Sequence, residues 1–208
     1  MAELELIGAP QSVYVRTARL ALHEKGVGYR LTLAAPHGAE ALAANPFGFI
    51  PVLRHKELTL FETRAITLYI DHAFEGPALT ERDPPGAARV EQWVSVLATT
   101  VLPCWTQYTR AKYFPESNRH VDLSAVLARM SDQMAIIAEA ITPQGYLGCD
   151  RFTLADIGLL PILDYLRQLP ESRVLIEEAP AISTYFARHA SRSSWLDTQA
   201  PPLPGVPS

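Results

Sequence analysis

A carboxylate, a hydroxyl and a freed backbone group stand close together in the stretch from Asn45 to Ile66. Pro51 lies between Ile50 and the apolar pair Val52-Leu53. Lacking an N–H, it fits only the first residue of a strand, where an X-Pro bond can be cis and the Ile50 backbone is left to pair with something else. After a polar turn, Leu60-Phe61 close a second strand and Glu62-Thr63 open a helix. Unpaired helix N–H groups therefore meet a carboxylate and a hydroxyl at one spot, which suits a small zwitterion. A further hydroxyl, Ser12, falls in the turn between the first strand and the first helix, where serine most often serves as a cap.

The run Asn45-Pro46-Phe47-Gly48 continuing to Pro51-Val52-Leu53, followed by Leu60-Phe61-Glu62-Thr63-Arg64-Ala65-Ile66, resembles the glutathione-binding half of glutathione S-transferases. The serine-type classes of plants and bacteria, phi-like or related, are nearest. The resemblance implies an enzyme that conjugates glutathione, as cosubstrate and without a metal, to a small electrophile. It places Ile50 and Pro51 against the cysteinyl part of glutathione and Glu62 with Thr63 at the γ-glutamyl end. His37 lies near the position of a basic residue that meets the glycine carboxylate, and Ser12 has the spacing of the catalytic serine. Phe49 departs from the pattern, standing where members commonly carry a polar or basic residue. The electrophile pocket is expected from Tyr14 on the first helix and from Trp105, Tyr108 and Tyr113, with Phe114 beside them. The resemblance also implies a homodimer, with one of Phe47 and Phe49 meeting the partner or the ligand.

The chemistry asked of Ser12 is modest. A protonated thiol is a poor nucleophile, and a hydroxyl at a helix N-terminus offers the thiolate both a hydrogen bond and positive potential. Lowering a thiol pKa by about two units takes roughly 2.7 kcal/mol of preference for the charged form, within reach of one charge-assisted hydrogen bond plus a helix dipole. No general base is needed. Tyr14 is a rival donor, though its place on the helix aims it elsewhere. Two other readings compete: a glutathione-dependent peroxidase or reductase, and a non-enzymatic binding module on the same fold. Serine in place of cysteine at position 12 counts against disulfide chemistry.

The elements that must position these residues alternate. Glu3 to Gly8 reads as a buried strand, and Val13 to Lys25 as a helix with apolar residues at Val15, Ala18, Ala21 and Leu22, ended by Gly26. Tyr29, Leu31 and Leu33 alternate as a second strand. A weak helix over Ala39 to Ala44, two strands, and a helix from Thr63 to Phe74 complete a βαβαββα order, the thioredoxin-like layout. Gly76-Pro77 and the prolines Pro84-Pro85 punctuate a linker over 77–86. The expected organisation is therefore an α/β thioredoxin-like domain over 1–76 and an all-α helical bundle over 87–208.

Within that bundle, Leu123, Leu127, Met130, Met134, Ile137 and Ile141 form one helical stripe. Thr153 and Asp156 write a capping box, with Phe152 and Ile157 at the places of a hydrophobic staple. The same Phe-Thr-Leu-Ala-Asp run recurs in the helical domain of the transferase family. Pro161 falls inside the helix that follows, and a tail from Ala200 to Ser208 carries four prolines.

Composition sets the remaining bounds. The 208 residues are 48% hydrophobic and 19% charged, ordinary globular usage, and the net charge of −4 disfavours a nucleic-acid surface. No apolar run reaches membrane-spanning length and the first residues are acidic, so neither membrane nor signal peptide is expected. Cys104 and Cys149 are too far apart for a redox pair and lack metal-ligand spacing, which fits a cytoplasmic protein.

Overall fold

The computed structural model describes residues 4–113 and 115–201. Phe114 and the end of the proline-rich tail lie outside the described residues. By their contacts the described residues form two compact units, one running to Thr80 and including residues 190–201, the other Glu81–His189. The stretch after His189, expected with the helical bundle, thus groups with the first unit.

The first unit is built on a four-stranded sheet in the order β2-β1-β3-β4, with β1 at Glu5–Ile7, β2 at Arg30–Thr32, β3 at Val52–His55 and β4 at Leu58–Phe61. β1 and β2 run parallel, with helix α1 (Val13–Glu24) as the crossover. A parallel pair needs such a crossover, because a tight turn cannot join strands of the same direction. β3 enters antiparallel to β1, and β4 returns antiparallel to β3. Leu6 lies beside both Leu31 and Leu53; Leu6, Val52 and Leu53 are all buried, and the helix α3 (Thr63–Ala73) follows β4. The short helix α2 (Ala39–Ala44) buries only Ala41. Leu33, read as the last residue of the alternation, lies past β2 and is exposed. An edge strand of three residues has too little length to carry the pattern farther.

Among the described residues, all regular structure in the second unit is helical apart from an isolated bridge between Ile141 and Leu147. Its helices are α4 (Pro84–Val96), α5 (Leu102–Tyr113), α6 (Leu123–Ala140), α7 (Leu154–Arg167), α8 (Pro170–Glu177) and α9 (Pro180–His189). A π-helical turn, Leu97–Val101, links α4 to α5. The prolines of the expected linker turn out to open α4. Asp83 caps it by accepting from the Gly86 N–H at 2.8 Å, and proline at the first helical position sacrifices an N–H that would have no partner. Val126, Met130, Met134 and Ile137 form the buried stripe of α6. Pro161 lies inside α7, which is buried along most of its length.

At the start of α7 both arms of the capping box are formed. The Asp156 carboxylate accepts from the backbone N–H groups of Thr153 and Leu147, each at 2.8 Å, and from the Tyr185 hydroxyl at 2.9 Å. One carboxylate thereby fixes the helix start, the loop before it and α9. Burial pushes its pKa up to about 6, against the pull of those donors. Because folding raises this group's proton affinity, its contribution to stability is complete below the usual carboxylate range and is lost as pH rises through about 6. Replacing Asp156 by alanine strands several buried donors, and a loss of about 2 to 4 kcal/mol is expected, read as a lower melting temperature. The deficit relative to wild type should shrink between pH 5 and pH 8. Normal melting with lost activity would instead give Asp156 a direct functional role.

Candidate functional site

Strand register alone brings three of the expected residues to one end of the sheet. β1 ends with Ile7 opposite Val52, and Val52 lies opposite Phe61. Gly8, Pro51 and Glu62 are the next residues along these three strands, so they leave the sheet side by side. The Ile50–Pro51 peptide bond is cis, and β3 begins at the residue after it.

The start of α1 is pressed into this corner. A Cβ at Gly8 would stand 2.4 Å from Val15 Cγ2 and 3.4 Å from Ile50 Cβ, so only glycine lets the first turn of α1 approach so closely. Ser12 is the N-cap residue of α1, in extended conformation, with its Oγ accepting from the Val15 N–H at 3.4 Å. That bond is long, and it uses an acceptor lone pair, leaving the hydroxyl proton to be directed elsewhere. No acidic residue stands in the first turn of α1. Its dipole therefore meets no negative side chain within that turn. Tyr14 is partly exposed, and both burial and the Glu62 charge push its phenol pKa upward. The same electrostatic coupling sets Glu62 near the first turn of α1.

Glu62 caps α3 in an unusual backbone state, φ 71° and ψ 116°, and makes no capping hydrogen bond with its side chain. A non-glycine residue at such a φ costs of order 1 to 3 kcal/mol, and strain of this kind concentrates at functional sites. Its carboxylate is exposed at the helix N-terminus, and Thr63 beside it is the first residue of α3. The expected junction of strand and helix is thus in place, with Phe61 as the last strand residue.

Ahead of Pro51, the loop is shaped by the buried Asn45. Its side-chain oxygen accepts from the Phe47 N–H at 3.0 Å, and its amide donates to the Phe49 carbonyl at 2.9 Å. His37 is exposed, with a positive φ of 59°, and its N–H donates to the Gly48 carbonyl at 2.7 Å. A Cβ at Gly48 would stand 2.6 Å from His37 Nδ1, and the Phe49 ring meets the imidazole edge-on at 4.9 Å. Phe49 and His37 therefore form one small cluster over the loop. Phe47 meets Phe61 at 5.9 Å, yet both Phe47 and Phe49 keep more than half of their surface exposed.

In the helical unit, Trp105 and Tyr108 are buried and Tyr113 is half-buried at the end of α5. Burial and the neighbouring Tyr113 push the Tyr108 phenol pKa up. Three residues escaped the sequence reading as parts of the site: Gly8, Asn45 as a loop organiser, and the manner in which Arg16 is held. Asn45 had a signal in its Asn-Pro-Phe-Gly context. Gly8 had none, since its role depends on Val15 and Ile50 together. Arg16, on the first helix, is buried, with its guanidinium over the Trp195 ring. Among the described residues no cluster of three or more His, Cys, Asp or Glu could hold a metal, and no helix is long and apolar enough to cross a membrane.

Residues 6–78 match the family model of the glutathione S-transferase N-terminal domain, and residues 91–188 match that of its C-terminal domain. The chain is 32% identical over 222 residues to glutathione S-transferase 3 of Zea mays, with 100% of this chain and 99% of that one covered. Among solved structures it is similar to glutathione transferase F7 from Populus trichocarpa, at 27% identity and a TM-score of 0.80, covering 94% and 97% of the two chains. It shares the fold of a glutathione S-transferase from Methylobacillus flagellatus with glutathione bound, at 23% identity and a TM-score of 0.84, covering 95% and 100%.

Proposed function

This chain belongs to the glutathione S-transferase family, and from that premise we propose how its residues carry out the transfer of glutathione to a small electrophile. It is an enzyme of glutathione transfer. The peroxidase, reductase and binding-module readings are not favoured beside relatives named as transferases. In this reading glutathione binds in the thioredoxin-like domain over 1–76, and the linker that follows ends where Pro84 opens α4 and the helical domain. In this reading Glu62 and Thr63 take the γ-glutamyl group, Ile50 and Pro51 offer backbone to the cysteinyl part, and His37 meets the glycine carboxylate. Ser12 donates its hydroxyl proton to the cysteinyl sulfur and stabilises it as thiolate. The observation that carries this is the end of the sheet, where strand register delivers Gly8, Pro51 and Glu62 together and Gly8 admits the Ser12 turn.

The division of labour follows from chemistry. A carboxylate with no capping bond of its own is available to the glutathione ammonium. A helix start without acidic residues is available to an anion. The sulfur attacks the electrophilic carbon, the leaving group departs with the bond electrons, and the Ser12 proton stays on oxygen throughout. Tyr14, Trp105, Tyr108 and Tyr113 are the side chains we assign to the electrophile. The setting we propose is cytoplasmic, with which the free Cys104 and Cys149 agree, and the role we propose is detoxification, which follows from conjugation of electrophiles.

Titration calorimetry should show saturable glutathione binding to the wild type. Glu62→Ala should weaken it about tenfold or more, since a charged hydrogen bond contributes about 1.5 to 3 kcal/mol. No saturation at millimolar glutathione defeats the site; an unchanged affinity for the variant returns Glu62 to a purely structural role.

Ser12→Ala should keep glutathione affinity but raise the pH midpoint of thiolate absorbance in the complex by about one to two units and slow conjugation. Identical titration curves would leave Ser12 as a cap and turn attention to Tyr14.

We also propose a homodimer, in which the exposed Phe47 and Phe49 meet a second copy or the ligand. Light scattering at micromolar concentration should give twice the chain mass. A monomer mass would require both rings to be explained within one subunit.

A further inference from the structure

The helical unit carries a groove of about 540 Å³ that the proposed transfer chemistry does not use. All of its lining residues belong to the second unit, whereas those assigned to glutathione belong to the first. One wall is α4, through Arg89 and Trp93. The other is the end of α6 and the loop after it, through Glu139, Ile141, Pro143 and Gly148. A volume of this size falls within the roughly 300 to 1,000 Å³ of small-molecule sites.

The loop wall is held in shape by the rest of the unit. The Thr142 N–H donates to the Tyr146 carbonyl at 2.9 Å, and the Gly148 N–H donates to the Ala140 carbonyl at 3.0 Å. Outside the loop, Asp156 accepts from the Leu147 N–H at 2.8 Å, His189 Nε2 bonds the Gly145 carbonyl at 2.8 Å, and Arg188 donates to the Gln144 carbonyl. Gly148 has a φ of 70°, and a Cβ there would stand 2.5 Å from Trp93 Cδ1. Glycine is therefore what lets the half-buried indole lie against this loop. The groove is preformed, with its aromatic side chain fixed in place.

Its two charges have not been spent on each other. Arg89 and Glu139 are exposed on the two walls, and among the described residues neither makes an ion pair. Glu139 stands in the last turn of the 18-residue α6, whose C-terminal end adds negative partial charge on the same side. An aromatic anion would meet Glu139 and an aromatic cation would meet Arg89, so each is opposed by one wall. A zwitterion is favoured by both, with Trp93, Ile141 and Pro143 left for an apolar body.

We infer that this groove is a second binding site, taking a small zwitterion with a flat apolar group, of the chemical class of a free aromatic amino acid. Arg89 holds the carboxylate, Glu139 with the end of α6 holds the ammonium, and the ring packs on Trp93. The inference stands apart from the reading of the glutathione site, and it involves no bond made or broken.

The test titrates the full chain with L-phenylalanine and follows the indole N–H resonance of Trp93 in nitrogen-15 NMR spectra, assigned by its loss in Trp93→Phe. Saturable shifts with a dissociation constant of order millimolar are expected. 3-Phenylpropionate, which lacks the ammonium, and phenethylamine, which lacks the carboxylate, should each bind about three- to fivefold more weakly, the range of a solvent-exposed ion pair. Arg89→Gln should remove the advantage of phenylalanine over phenethylamine, and Glu139→Gln its advantage over 3-phenylpropionate, both with an unchanged melting temperature. Excess glutathione should leave the titration as it was. Displacement by glutathione would put the amino acid in the glutathione site and overturn the inference. An unmoved Trp93 resonance at tens of millimolar phenylalanine overturns it too, as does equal binding of the three compounds. Failure of glutathione to bind would leave this titration unaffected.

Discussion

The buried pair of Lys25 and Asp71 sets the geometry on which the first unit depends. Lys25 closes α1, and its ammonium lies 3.1 Å from the Asp71 carboxylate in the last turns of α3, with both side chains 3% exposed. The same ammonium donates to the Pro77 carbonyl, and Asp71 also accepts from the Leu79 N–H and the Thr80 hydroxyl. Burial raises the Asp71 pKa, yet the Thr80, Leu79 and Lys25 donors more than offset this and hold the carboxyl below its ordinary value. A buried pair broken on one side costs about 3 to 5 kcal/mol, because the remaining charge is stranded. The pair therefore fixes the C-terminal ends of two helices and the chain leaving them. Their N-terminal ends, which carry Ser12 and Glu62, follow from the strands β1 and β4, whose last residues lie at the same end of the sheet.

That arrangement separates what stabilises the unit from what is proposed to act in it. At the C-terminal ends of α1 and α3 the Lys25 and Asp71 charges are satisfied within the fold. At the N-terminal ends, the Ser12 hydroxyl makes one long bond and the Glu62 side chain makes no cap. Helix starts leave N–H groups without intrahelical partners, and a fold that supplied them with strong internal caps would have little to offer an anionic or zwitterionic ligand. The strained backbone of Glu62 fits the same logic, since strain of this kind concentrates at functional sites.

How much of this was legible in the sequence depended on the range of the interaction. Ser12, Thr153 and Asp156 could be placed because caps act within three or four residues, whereas the linker segment with Asp83 and its prolines read as punctuation and proved to be the cap and first turn of α4. The segment around Pro51 and Glu62 was legible because proline, a turn and a helix start lie close together in the chain. Gly8 was silent, since the need for glycine arises only when Val15 and Ile50 converge on it. Asp156 was half legible. Its box is local, but Leu147 and Tyr185 are partners that no spacing announces.

Arg16 shows the limit most sharply. By residue type it is a surface arginine on a first helix, equally able to sit in solvent or pair with a nearby carboxylate. What buries it is an indole near the end of the chain, brought over it by Arg192, Ser194 and Arg19, none of which is distinctive alone. A transferase must hold glutathione firmly while raising the reactivity of one atom in it, and contacts to the peptide contribute mainly to the first task. The residues proposed to bind glutathione are therefore written in compact motifs, whereas a buried group such as Arg16 becomes visible only when burial and charge are considered together in the folded chain.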